Sequence, residues 1–245
     1  MATKIEWTEK VWNPVTGCTK VSEACENCYA EVMARRLQKM PGSAEKYRNG
    51  FHPTIHVSSL GEPLEWKKPT MVFVCSMGDL FHKDVSFDFI DMVMNVIREC
   101  PQHTFQILTK RPERMAEYFS TREVPQNVWL GTTCESDKHY DRIDHLRKIK
   151  GAKVRFLSCE PLLDNMPDID LDRIDWVITG GESGACARPT DPHWFRSLRD
   201  AVLATHRVKF FFKQWGAWSE DGIKQSKYKN GSLLDGVEWK EYPNV

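Results

Sequence analysis

The sequence predicts an α/β fold: a partial or irregular (β/α) barrel of the TIM type with about six to seven parallel strands, followed by a C-terminal β-hairpin extension. Three observations carry that expectation. Short apolar runs alternate with amphipathic, charged stretches along most of the chain. The runs end, one after another, in polar residues. The length of 245 residues is also what one such barrel uses.

Strands are expected at 71–75, 104–108, 128–131, 154–157, 176–178 and 208–212, with 11–15 a short candidate for a first strand. Helices are expected at 29–38, 86–99, 112–120, 137–149 and 192–205. In the second of these, Phe87, Ile90, Val93, Met94 and Ile97 recur on one helical face behind Ser86, a suitable N-cap. The tail reads as short strands around Asn230-Gly231 and Asp235-Gly236. This gives one main domain over 1–217 and a hairpin extension or lid over 218–245.

The polar residues that close the apolar runs are candidate site residues. Ser76 and Asp79 follow the first run, Thr109, Lys110 and Arg111 the second, and Cys134 and Glu135 the third. Ser158, Cys159 and Glu160 follow the fourth, Gly180, Gly181 and Glu182 the fifth, and Lys213 the sixth. In parallel α/β barrels such ends converge on one mouth, where ligands bind. Capping of the next helix accounts for any single Ser, Thr or Asp there, but poorly for Lys110, Glu160 and Lys213. At Gly180 and Gly181 a missing side chain lets backbone approach a ligand closely, and Glu182 then supplies polarity; a helix-initiating turn capped by Ser183 is the plainer account.

Lys plus Arg and Asp plus Glu both total 34, so no net field gathers polyanions or membranes. Nucleic-acid contact must come from local patches. Arg35, Arg36, Lys39, Lys46 and Arg48 form one; Lys224, Lys227, Tyr228 and Lys229 form another, where lysines beside an aromatic suit a phosphate backbone and a base. Solvated helix faces carry the same residue types. Residues 1–10 lack the apolar run of a secretory signal, and no stretch approaches the roughly 20 apolar residues that cross a bilayer. A cytoplasmic protein with no membrane partner is expected. Its eight cysteines are then free for metals, chemistry or packing.

The strongest local signal is Cys18, Cys25 and Cys28, spaced Cys-x6-Cys-x2-Cys and leading into a helix at Tyr29. Three thiolates within eleven residues suit one metal centre. A structural zinc site wants a fourth ligand, which His52 or His56 offers. A 4Fe-4S cluster held by three cysteines instead leaves one iron open for a further ligand. Spacing alone leaves both readings standing. A zinc-stabilised barrel hydrolase or lyase using Glu160 and Glu182, or a non-catalytic nucleic-acid-binding protein with a structural metal, are the functions that go with zinc.

A three-cysteine loop after an early strand, ahead of an incomplete (β/α) barrel, resembles the radical S-adenosylmethionine (SAM) superfamily. More closely, the blocks starting at Trp12, Asn27, Leu108, Leu157, Gly180, Lys213 and Leu234 are similar to a family of phage and prophage proteins known for a three-cysteine motif. The blocks run from Trp12 to Gly236. The chain departs from the familiar Cys-x3-Cys-x2-Cys loop in its longer first gap and in placing the aromatic, Tyr29, after the last cysteine.

The resemblance implies a 4Fe-4S cluster on Cys18, Cys25 and Cys28, SAM as cofactor, and an electron donor such as flavodoxin or ferredoxin. The SAM ammonium is then expected at Ser76 and Asp79, its carboxylate at Thr109, Lys110 and Arg111, and its ribose at Glu135 or Glu160. Ser158, Gly181 and Glu182 join the cofactor-binding set, the last two toward adenine or substrate. Cys134, Cys159 and Cys186 are candidate hydrogen-atom donors to a carbon radical, and His82, His139 and His145 candidate proton carriers. Packing is the plainer role for each cysteine. DNA or a nucleotide, including a modified base, is the implied substrate.

Overall fold

The computed structural model describes residue 3 and residues 5–244. Positions 1, 2, 4 and 245, which belong to the expected signal-free N-terminus and C-terminal extension, lie outside the described residues. The chain divides into two compact units, one of residues 1–130 with 149–153, the other of 131–148 with 154–245.

In chain order the first unit holds β1 (Lys10–Trp12), β2 (Val15–Thr16), α1 (Tyr29–Leu37), β3 (Thr54–Ile55), β4 (Met71–Val74), α2 (Phe87–Glu99), β5 (Thr104–Thr109) and α3 (Pro112–Phe119). Then follow β6 (Val128–Thr133), α4 (Asp141–Lys148), β7 (Val154–Cys159), β8 (Trp176–Thr179), α5 (Pro192–Ala204), β9 (Lys209–Phe212), α6 (Lys227–Asn230), β10 (Leu233–Leu234) and β11 (Val237–Glu238). Seven parallel strands make one sheet in the order β1-β4-β5-β6-β7-β8-β9, the α/β, barrel-like fold that the sequence predicts. Helices connect most neighbours, while the stretch between β7 and β8 crosses without one.

Parallel strands covered on both faces read as apolar runs, and β6 is buried at every residue. Within α2 the Ser86 hydroxyl accepts the Phe89 N–H, and Phe89, Ile90, Val93, Met94 and Ile97 are buried. Phe87 sits half-buried against Tyr118, their ring centroids 5.3 Å apart.

Several expected boundaries shift for local reasons. The 11–15 stretch splits, because Pro14 has no N–H to continue a ladder; β1 pairs with β4, and β2 turns to an antiparallel pairing with β3. β5, β6 and β7 run one or two residues past their apolar runs, so Thr109, Thr133 and Cys159 lie within strands. The 137–149 helix breaks into a 3-10 turn at Asp137–His139 and α4. Asn230-Gly231 ends α6 and is not a hairpin turn. The C-terminal hairpin is β10–β11, closed at Asp235-Gly236, where φ is +54° and +75°, the left-handed pair a two-residue turn requires. Among the described residues no helix is long and apolar enough to cross a membrane.

Candidate metal centre

The three cysteines lie between β2 and α1. Gly17 precedes Cys18 with φ +81°, and its N–H donates to the Met77 carbonyl at 2.8 Å while Cys18 N–H donates to Phe51 at 3.0 Å. A Cβ at Gly17 would stand 2.2 Å from the His52 carbonyl oxygen, so only glycine fits. Cys25 ends a short 3-10 turn, and Cys28 is the N-cap of α1, packed against Ala30, Ala34, Tyr47 and Met77. The Tyr29 hydroxyl donates to the Ser76 carbonyl at 2.5 Å, tying the start of α1 to the chain beyond β4.

All three cysteines line one open cavity of about 670 Å³. Lys20, Arg35, Arg48, Asn49 and His52 line it too. Each cysteine is half-buried and free of disulfide. The donor set and the room therefore fit a thiolate-held cluster of the 4Fe-4S kind. Of the two histidines weighed as a fourth zinc ligand, His52 lines the cavity, whereas His56 Nε2 is 2.8 Å from the Thr16 hydroxyl.

Behind Cys18 stands a buried ion pair. Arg111 Nη1 donates to Asp79 Oδ2 at 2.8 Å and to Cys18 Sγ at 3.3 Å, and its Nη2 donates to the Thr19 carbonyl at 2.9 Å and hydroxyl at 3.0 Å. Asp79 Oδ1 accepts from the Thr109 hydroxyl at 2.7 Å and from Phe81 N–H at 2.9 Å. Burial pushes the Cys18 thiol up to about 11; Asp79 adds to the rise and Arg111 opposes it. His82, fully buried, accepts the Asp84 N–H at Nδ1, so Nε2 carries the proton and donates to the Thr19 hydroxyl at 2.9 Å. Its pKa is lowered, by burial first and Arg111 next.

Ser76, Asp79, Thr109 and Arg111, expected to meet SAM, are thus gathered around the cysteine loop. Ser76 donates its hydroxyl to Asn13 Oδ1 at 3.2 Å, which also takes Met77 N–H at 3.0 Å. Asn13 and Thr19 have no assigned role in the sequence; Asn13 lies in the block that starts at Trp12, and Thr19 follows Cys18 directly. Lys110 follows Thr109 at the end of β5, half-buried.

The second unit holds the remaining candidates in pairs. Glu135 accepts from Arg142 at 2.9 Å, Glu160 from Lys213 at 2.6 Å, and Glu182 from Arg188 at 2.6 Å. His139 lies 3.6 Å from Glu135. Cys134 and Cys159 are fully buried, and burial holds the Cys159 thiol far above its ordinary range. Cys134 N–H donates to the Ser158 carbonyl at 3.1 Å. At Gly181 the close approach is made by the chain itself: a Cβ would stand 1.9 Å from the Trp215 carbonyl oxygen. Cys186 is exposed.

Fold and site together define an α/β, barrel-like protein with three cysteines on the wall of one cavity. The chain belongs to the family described as "Protein of unknown function (DUF5131)", whose model matches residues 2–243. No curated protein matches it. Among solved structures, a cysteine-to-serine mutant of spore photoproduct lyase is similar at 14% identity and TM-score 0.51, covering 83% of this chain and 63% of that one. A doubly substituted form of the same lyase, with bound AdoMet and dinucleoside spore photoproduct, gives 12% identity and TM-score 0.42 over 79% and 60%. This chain therefore spans less than two thirds of the length of either lyase chain. At such identity the likeness is one of fold.

Proposed function

We propose that the chain is a radical SAM enzyme: Cys18, Cys25 and Cys28 hold a 4Fe-4S cluster, SAM is the cofactor, and a nucleotide, nucleic-acid base or modified base is the substrate. The observation that carries the reading is that Cys18, Cys25 and Cys28 all line one cavity. Cys18, Cys25 and Cys28 would hold the cluster, which, with a donor such as flavodoxin or ferredoxin, would supply the electron for reductive cleavage of SAM. A fold shared with spore photoproduct lyase adds that this architecture serves a lyase.

The chain's own residues have definable tasks. Gly17 and the Tyr29 hydroxyl hold the loop on the β4 exit. Asp79, Glu135, Glu160 and Glu182 each bond a cation of the chain, so any of them that meets SAM does so with its partner: Arg111, Arg142, Lys213 or Arg188. Ser76, Thr109, Lys110, Ser158 and Gly181 complete the proposed cofactor set. Cys134 or Cys159 is the proposed hydrogen-atom donor, with Glu160 beside it as a catalytic candidate. On the cavity wall Lys20 and Arg35 both pair with Glu31, and Arg48 pairs with Glu45, so these cations are offset by carboxylates of the chain.

Anaerobic reconstitution tests the reading. The expected product is a brown protein with about four irons and four sulfides per chain, which with reductant and SAM releases 5'-deoxyadenosine. Replacing Cys18, Cys25 or Cys28 by Ala is expected to abolish both. A colourless chain with one tightly bound zinc overturns the proposal and points to His52 as the fourth ligand.

A further inference from the structure

We infer that Arg111 is the positioning residue of the cysteine loop: its guanidinium fixes the Cys18 sulfur and, in balance with Asp79, sets the reduction potential of the cluster ligated there. The inference rests on the iron-sulfur reading and names the groups that tune it.

The geometry leaves this guanidinium little freedom. One nitrogen, Nη1, is shared between Cys18 Sγ at 3.3 Å and Asp79 Oδ2 at 2.8 Å. The other, Nη2, donates to both oxygens of Thr19, at 2.9 and 3.0 Å. Its backbone N–H donates to the Thr109 hydroxyl at 2.9 Å, and that hydroxyl donates to Asp79 Oδ1 at 2.7 Å. A single side chain thus joins the chain after β1, the chain after β4 and the end of β5. A planar fork does this; a lysine ammonium, a point charge, cannot span all four acceptor atoms in fixed directions.

The three sulfurs are therefore inequivalent. Cys18 faces a buried cation, Cys25 Sγ lies 3.9 Å from the Ser22 hydroxyl, and Cys28 packs on an apolar cluster. An N–H donated to a ligand sulfur, and a positive charge beside it, favour the reduced cluster and raise its potential. A carboxylate at the same distance does the reverse. Arg111 and Asp79 act in opposition, and their effects on the potential carry opposite signs.

Wild-type protein and the Arg111→Gln, Arg111→Lys, Asp79→Asn and doubly substituted forms, each reconstituted anaerobically and checked for fold by circular dichroism, decide the matter. Midpoint potential by redox titration and iron loss to a chelator are the readouts. Arg111→Gln is expected to shift the potential negative and to speed iron loss; Asp79→Asn to shift it positive; the double substitution to return it toward wild type. Arg111→Lys keeps the charge but loses the Thr19 bonds, so iron is lost faster at a potential near wild type. If Arg111→Gln does not fold, the direction of the Asp79→Asn shift decides. An intact wild-type cluster with no shift, or with both single substitutions shifting it the same way, overturns the role of Arg111 alone. A wild-type chain that takes up no iron overturns the iron-sulfur reading and this inference with it.

Discussion

Gly17 and Arg142 show what single residues contribute. Gly17→Ala is expected to retain the fold of the sheet but to lose reconstituted iron. The reason is that φ +81° and the His52 carbonyl 2.2 Å from the Cβ position force the chain at Cys18 to move; iron content after reconstitution measures this. Arg142 donates to Glu135 at 2.9 Å and to the Thr133 carbonyl at 3.1 Å, and Glu135 is fully buried. Arg142→Ala removes a charge-assisted hydrogen bond from that buried carboxylate while His139 remains 3.6 Å away, at a cost of about 1–3 kcal/mol in urea unfolding. Neither effect was legible in the sequence: a glycine before a cysteine says nothing of a carbonyl 35 residues away, and Glu135 read there as a free ligand for ribose.

Among the elements, α2 was read best. Its apolar spacing and its Ser86 cap both appear in the structure, and Ser86→Ala is expected to cost about 1 kcal/mol, as loss of an N-cap does, again by urea unfolding. The C-terminal hairpin has a less obvious anchor. Asp235, in its turn, accepts from Arg196 of α5 at 2.7 Å and pairs with Arg199. Arg196 first, and Arg199 with it, hold the Asp235 carboxyl at about 2 against an ordinary 3.8. A carboxyl with a lowered folded pKa stabilises above its unfolded value and loses that contribution as pH falls through the folded one. Protection against hydrogen exchange in β10 and β11, taken relative to the intrinsic amide rate at each pH, should therefore fall between pH 3.8 and about 2, and Asp235→Asn should abolish that dependence. The hairpin was readable from Asp235-Gly236; its attachment to α5 was not, because 36 residues separate Asp235 from Arg199.

For the molecule as a whole, stability and the candidate centre are separable. The core consists of strand residues such as Val72, Ile107, Leu130, Phe156 and Ile178, all fully buried, whereas Cys18, Cys25 and Cys28 are half-buried. Replacing the three by Ala together is expected to cost about 1 kcal/mol, a fall in melting temperature of about 2–4 °C, while iron binding is lost entirely. Calorimetry on the metal-free proteins checks the first point.

The sequence by itself determined the α/β class, the strands and their order along the chain, and the one place where thiols cluster. These are local properties: side-chain period, turn chemistry and ligand spacing act over ten residues or fewer. Tertiary structure alone decided what each polar strand end faces. Asp79 meets Arg111 across 32 residues, Glu160 meets Lys213 across 53, and Glu182 meets Arg188 within one loop. A charge selects its partner by proximity after folding, when burial has made an unpaired carboxylate costly, and no spacing in the chain records that choice.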